Sequence, residues 1–262
     1  MKERRNVFRW LLAVIAVFMI TMAGTAMADE TFNLGILPSG QLVTKTGKEQ
    51  NGNIYFVFTV QTAGYLNVNG YAISAYDTTK DYSLEFVLCN AAGTPIDYYT
   101  YNYPNLKEGD SDIIYGLNPG TYAIKIAPMS KNQYNLAFVF TQQKNQAKYS
   151  KGKALNMKKG KKYSVVLPAG DGRSCWLKLQ APGNKKVKLT IKGVGQGDYN
   201  IKFTGNKMNS TSYISNNKSN KWTLYTRVGS RNTALRKGTY YLKISRNKYK
   251  SYSNGWLQVS WK

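Results

Sequence analysis

Hydrophobic residues recur with a period of two along most of this chain. After Gly120, Tyr122, Ile124 and Ile126 fall on one face, and Thr121, Ala123 and Lys125 on the other. After Gly238, Tyr240, Leu242 and Ile244 face in, while Thr239, Tyr241 and Lys243 face out. Such alternation predicts strands with one buried and one wet face, as in antiparallel sheets. It places strands near 41–45, 54–60, 65–70, 83–89, 96–101, 112–116, 121–127 and 134–141. A second series falls near 162–167, 174–180, 185–192, 199–204, 211–215, 222–226, 239–245 and 255–261. Turn signals such as Ala63-Gly64 and Asn118-Pro119-Gly120 separate them. Beyond residue 28 no window longer than a turn has helical period.

The two series match one another. Leu117-Asn-Pro-Gly-Thr-Tyr-Ala-Ile-Lys-Ile126 parallels Leu235-Arg-Lys-Gly-Thr-Tyr-Tyr-Leu-Lys-Ile244, and in each a glycine suited to positive φ opens a strand. Asp81-Tyr-Ser-Leu-Glu-Phe86 parallels Asp198-Tyr-Asn-Ile-Lys-Phe203. Phe56, Phe58 and Val60 align with Cys175, Leu177 and Leu179; Leu136, Phe138 and Phe140 align with Leu257, Val259 and Trp261. A period of over a hundred residues is too long for a solenoid, so each copy is expected to be a whole domain. The expected fold class is therefore all-β: two tandem antiparallel β-sandwich domains, jelly-roll-like, after a signal peptide. The boundaries are 1–28 for the leader, 29–142 for the first repeat, 143–154 for a polar linker and 155–262 for the second repeat.

The leader reading rests on Lys2, Arg4, Arg5 and Arg9, the uncharged apolar run Trp10 to Met22, and the small-x-small site Ala26-Met27-Ala28. An uncleaved anchor is the alternative, and the run is short for a bilayer. A secreted chain is expected, with cell-wall association open and no transmembrane span in the mature part. The two cysteines, Cys89 and Cys175, fall in different repeats, and Cys175 lies on an inward position, so a disulfide is not expected.

The spaced motifs Phe56-x-Phe58-x-Val60, Asp81-Tyr82-x-Leu84-x-Phe86 and Leu117-x-x-Gly120-Thr121-Tyr122-x-Ile124-x-Ile126 resemble the bacterial pre-peptidase C-terminal domain, in two tandem copies. That resemblance implies a jelly-roll-like sandwich serving as an accessory module of secreted hydrolases, with calcium and collagen as ligands among collagenase relatives. Two departures stand against a direct transfer: no peptidase is attached, and acidic residues suited to calcium are sparse.

Charge divides the chain unevenly. Residues 29–145 hold 7 Lys/Arg against 10 Asp/Glu, net −3, whereas 146–262 hold 26 Lys/Arg against Asp171 and Asp198, net +24. A solvated face ordinarily mixes signs; a single sign on this scale points to a polyanion. Wall polymers, acidic glycans, anionic headgroups and extracellular DNA all qualify for non-specific contact, whereas no motif for specific nucleic-acid recognition is present. Within the second repeat, Trp176, Lys178, Lys186, Lys188, Tyr241, Lys243 and Trp256 form an expected outward set whose aromatic rings are suited to stack on sugars and whose lysines are suited to take phosphate or carboxylate. Edge aromatics covered by loops or by the other repeat are the competing explanation. Tyr99, Tyr101 and Tyr103 share a face and offer a glycan platform, although aromatic residues favour strands on their own account.

Glu108, Asp110 and Asp112 offer alternate carboxylates for calcium, or else a solvated turn. No other cofactor is expected. The chain has no histidine, which removes Ser-His and Cys-His nucleophile systems, and its acids lie mainly in turns. The expected role is non-catalytic: attachment through the basic repeat to an anionic surface polymer. The alternatives are an accessory or regulatory subunit of a separately encoded secreted hydrolase, and a glycan- or matrix-binding adhesin.

Overall fold

The computed structural model describes residues 29–262 except 49–51, 74–80, 83, 98–99, 103–112, 128–132, 197, 207, 216–219, 226, 229–230, 233 and 247–253. The described residues are all-β, with no helix and hence none long and apolar enough to cross a membrane. Residues 1–28, expected to be a leader, lie outside them, as do Tyr99, Tyr103, Glu108, Asp110 and Asp112.

The strands pack as two pairs of sheets. In the first pair, one sheet runs β1 (Glu30–Ile36), β3 (Ile54–Val60), β9 (Gly120–Ile126), β6 (Leu84–Asn90), β7 (Thr100–Asn102). Its companion runs β2 (Leu42–Lys48), β10 (Gln133–Gln142), β4 (Gly64–Ile73), β5 (Asp81–Tyr82), with β8 (Ile113–Leu117) also on β4. In the second pair, one sheet runs β11 (Leu155–Met157), β13 (Cys175–Ala181), β20 (Gly238–Arg246), β15 (Asp198–Gly205), β16 (Met208–Ser215). Its companion runs β12 (Tyr163–Leu167), β21 (Asn254–Trp261), β14 (Lys188–Gln196), β17 (Asn220–Tyr225). A short ribbon joins β18 (Arg227–Val228) to β19 (Arg231–Asn232). The same order therefore recurs: an early strand pairs in parallel at one edge (β1 on β3, β11 on β13), and the other main pairings are antiparallel.

Two separate cores follow from the alternation. Phe56, Phe58, Phe86, Leu88, Ile124 and Phe138 are fully buried in the first; Leu177, Leu179, Ile201, Leu242, Ile244 and Val259 are buried in the second. Each such side chain contributes about 1.5–3 kcal/mol on leaving water. The Gly-Thr-Tyr stretch gains its place from a lock common to both pairs. The Tyr122 hydroxyl donates to the Asn118 carbonyl at 3.0 Å, and Tyr240 donates to the Arg236 carbonyl at 3.1 Å, four residues back in each case. Each tyrosine thus ties the entering turn to the strand it starts. Gly238 has the expected positive φ of 149°, but Gly120 does not adopt one, so the two turns are not conformational copies.

Pairing register corrects the sequence alignment. Ala181 faces Gly238 as Val60 faces Gly120, so Cys175 occupies the slot of Ile54 rather than that of Phe56. Likewise Ile201 faces Ile244 as Phe86 faces Ile126, so the partner of Phe203 is Leu88. Both slips are of two residues. A period-two pattern is unchanged by such a slip, because every side chain keeps its face.

Residues 143–154 are polar, as expected, yet they are packed rather than loose. Ala147 and Ala154 are buried, and Lys148 forms a bridge with Trp176. Gln146 Nε2 donates to the Ala63 carbonyl at 2.8 Å, Ser164 Oγ bonds Gln143 Oε1 at 3.0 Å, and the Tyr149 hydroxyl donates to Asn118 Oδ1. The two sheet pairs also touch directly. Strand β8 is buried along its whole length, Ala169 N–H donates to the Gly116 carbonyl, and the Tyr65 and Trp256 rings stack with centroids 5.5 Å apart.

Candidate functional site

The outer face of the β13–β20–β15–β16 sheet gathers part of the expected set. Trp176 stands opposite Lys243, and Lys178 opposite Tyr241, across β13 and β20. On the far side of β20, Lys243 stands opposite Lys202, and Tyr241 opposite Thr204. Strand β16 completes both rows, with Thr211 beside Lys202 and Asn209 beside Thr204. Strands in a sheet lie about 4.8 Å apart, so each row spans roughly 14 Å. One row reads ring, cation, cation, hydroxyl; the other reads cation, ring, hydroxyl, amide.

The face stays outward because Leu177, Leu179, Leu242, Ile244, Ile201 and Phe203 take the alternate positions in the core. Two lysine ammonium groups lie over aromatic rings. Lys243 Nζ is 5.6 Å from the Trp176 ring centroid, and Lys151 Nζ is 4.8 Å from that of Tyr241. Such placement lets the negative face of each ring attract the ammonium. Between Lys151, Trp176, Lys202, Thr204, Asn209 and Lys243 lies a recess of about 380 Å³.

The corresponding face of the first pair is different in kind. By register, Tyr55 stands for Trp176, Val57 for Lys178, Ala123 for Tyr241, Val87 for Lys202 and Cys89 for Thr204; only Lys125 keeps the charge of Lys243. Tyr55, Val87, Cys89 and Ala123 are buried together, and the 90–97 segment turns back along β6, with Ile96 N–H bonding the Leu88 carbonyl. The cationic surface is thus confined to one of two equivalent faces.

The remaining expected residues lie elsewhere. Lys186 and Lys188 are exposed but belong to the β14 side, away from this face. Trp256 points away from its own core, as its alternation requires, and is half-buried by packing on Tyr65 of the first pair. Its Nε1 is buried, and no described residue accepts a hydrogen bond from it. That contact occupies one face of the indole and sets Trp256 apart from the β13–β20–β15–β16 face. Tyr101 lies on β7, opposite Glu85; Tyr99 and Tyr103, its proposed companions, are outside the described residues. The calcium candidates Glu108, Asp110 and Asp112 are also outside them, and the described residues contain no cluster of three metal-ligating side chains. Lys151, Lys202, Thr204 and Asn209 escaped sequence reasoning. Lys202 was signalled by its place between Ile201 and Phe203, while Lys151 sits in the polar connector, where no pattern marks it.

The two carboxylates of residues 146–262 do not neutralise this surface. Asp198 is buried at 1% exposure. Asp171 is gripped by Arg173, with Nε–Oδ2 at 2.7 Å and a backbone N–H bond at 2.8 Å. Burial works against its charge, but these bonds and the guanidinium outweigh burial and hold the carboxyl below its ordinary value. Arg173 in turn lies 4.2 Å over the Tyr149 ring, whose hydroxyl is pushed up to about 12, first by burial. Asp171 and Arg173 line a cleft of about 500 Å³ with Asn118, Tyr122 and Pro168. Their polar groups are already engaged with one another, which suits an interface rather than a ligand site.

The thiols offer no nucleophile. Burial raises Cys89 to about 11 and Cys175 to about 12, and both are free. The Cys175 thiol donates to the Val166 carbonyl at 3.3 Å.

No protein-family model and no curated protein sequence matches the chain. Solved structures with similar architecture include the pre-peptidase C-terminal domain of collagenase from Bacillus anthracis, 15% identical. That match covers 44% of this chain and 99% of that one, with a TM-score of 0.29. Another is PliG of Aeromonas hydrophila, a periplasmic inhibitor of g-type lysozyme, 13% identical, covering 44% of this chain and all of that one, TM-score 0.30. A third is the CUB1-EGF-CUB2 region of rat MASP-1, 6% identical, covering 88% of this chain and all of that one, TM-score 0.28. These likenesses are of fold alone.

Proposed function

We propose that this is a secreted, non-catalytic binding protein made of two duplicated β-sandwich domains, whose basic second domain attaches to an anionic surface polymer. The observation that carries this reading is the open outer face bearing Lys178, Lys202 and Lys243 among Trp176 and Tyr241, in a half whose two carboxylates are buried or already bound. Cations displayed without counter-charges repel one another, and an anionic chain laid along the rows relieves that repulsion while releasing its own counter-ions. The rings supply contact area beside each charge. The leader-like residues 1–28 support export, where such polymers are met. The absence of histidine from the whole chain supports binding rather than catalysis.

Cosedimentation of the full chain with an immobilised polyanion, beside a neutral polysaccharide of equal length, tests the reading. Retention on the polyanion alone, reversed by salt, is expected. Equal retention on both would remove the electrostatic basis.

A further inference from the structure

Lys202 and Lys243 occupy directly opposed positions on neighbouring strands. Like charges so placed destabilise a sheet unless something lies between them. Among the described residues neither lysine has an ion pair. At the equivalent pair of the first half the cation is relieved instead: Lys125 faces Val87, with its ammonium 5.8 Å from the Tyr55 ring centroid. The lysine-over-ring contact is therefore common to both halves, and the second lysine is peculiar to the cationic one.

The 380 Å³ recess opens at this opposed pair, with Trp176 on one flank and the Thr204 hydroxyl and Asn209 amide on the other. Lys151 reaches it from the connector. We infer that this recess is a subsite for one sugar unit carrying a sulfate or phosphate ester. The ester oxygens bridge Lys202 and Lys243, the indole of Trp176 covers an apolar face of the ring, and Thr204 and Asn209 bond its hydroxyls. Aromatic flank, paired cations and neutral polar groups within one recess match an esterified pyranose better than a bare ion, which has no use for the ring. The inference rests on the polyanion reading and sharpens it: diffuse attraction becomes recognition at one place.

The test uses the full chain and three probes: a sulfated tetrasaccharide, a phosphorylated oligosaccharide, and ring-free poly(glycerol phosphate) of equal charge. Two double variants remove the same charge. K202Q/K243Q lies in the subsite, and K159Q/K162Q lies on an exposed turn remote from it in sequence. The first is expected to weaken binding of an esterified oligosaccharide about tenfold or more, and the second by less than about threefold. Comparing the sulfated and phosphorylated probes tells which ester the recess takes. Binding should also change Trp fluorescence, and W176F should abolish that change.

Because removing one like-charge pair relieves strain, K202Q/K243Q is expected to melt no lower than the wild type, so lost binding cannot be ascribed to unfolding. Equal losses in the two double variants would overturn the subsite while leaving the polyanion reading intact. Equal affinity for poly(glycerol phosphate) would overturn the role of the ring. No binding of any probe by the wild type would overturn both readings.

Discussion

At Gly116 the backbones of the two sheet pairs meet closely. A Cβ built there would lie 2.5 Å from the Gly255 carbonyl oxygen and 2.5 Å from that of Leu167. Both obstacles are backbone, and Leu167 and Gly255 are themselves paired across β12 and β21, so neither yields alone. Ordinary carbon–oxygen contact begins near 3.4 Å, which means that the strand end must retreat by about 0.9 Å. Overpacking of this kind costs typically 1–3 kcal/mol, and a rigid backbone obstacle places Gly116→Ala near the upper end, about 3 kcal/mol. For a chain of this size that corresponds to a fall in Tm of about 6–12 °C. The control is Gly152→Ala, where nothing lies within 4 Å and φ is ordinary. Differential scanning calorimetry of both variants reads the difference. Gly116→Ala should melt lower and show its two halves separating into distinct transitions, while Gly152→Ala stays within about 1 °C of the parent. An unchanged single transition in Gly116→Ala would refute close packing between the two pairs.

Three further outcomes follow from particular contacts. Tyr240→Phe removes the hydroxyl that holds the Arg236 carbonyl in a nearly closed site, and should cost about 1 kcal/mol in chemical denaturation with no change in the slope m. Asp171 has a depressed folded pKa, so its contribution is present above the unfolded value near 3.8 and is lost as pH falls through the lower folded value. Wild-type Tm should therefore drop more steeply below about pH 4 than that of Asp171→Asn, which lacks the titrating group. Both cysteines should resist a thiol reagent at pH 8 in the folded chain and react only on denaturation, since burial holds Cys89 near 11 and Cys175 near 12.

The strands and their faces were legible because alternation reports burial directly. Leu177, Leu242 and Ile201 are core, and Trp176, Lys243 and Lys202 are outer, as the pattern requires. Register was not legible to within two residues, since Cys175 against Phe56 or Ile54 preserves the same face. The parallel edge strands were also hidden. Strand β11 is only three residues, directly after the polar connector, and its pairing with β13 is a long-range choice that no local pattern encodes. Trp256 shows the same limit from the other side. Its outward direction was readable, but the Tyr65 ring that covers it lies some two hundred residues away in the chain. For the candidate site, charge asymmetry singled out the second half and alternation singled out which face of its strands points outward. The meeting of Lys202 with Lys243 needed the order of strands in the sheet.

The most direct test of the central claim is the salt dependence of polyanion binding by the full chain. Lys151, Lys178, Lys202 and Lys243 provide up to four neutralising contacts, so log K should fall with log salt with a slope of about −3. A neutral polysaccharide should not be retained at any salt concentration. Binding that ignores salt, or that favours the neutral polymer, would contradict the cationic face as the functional surface.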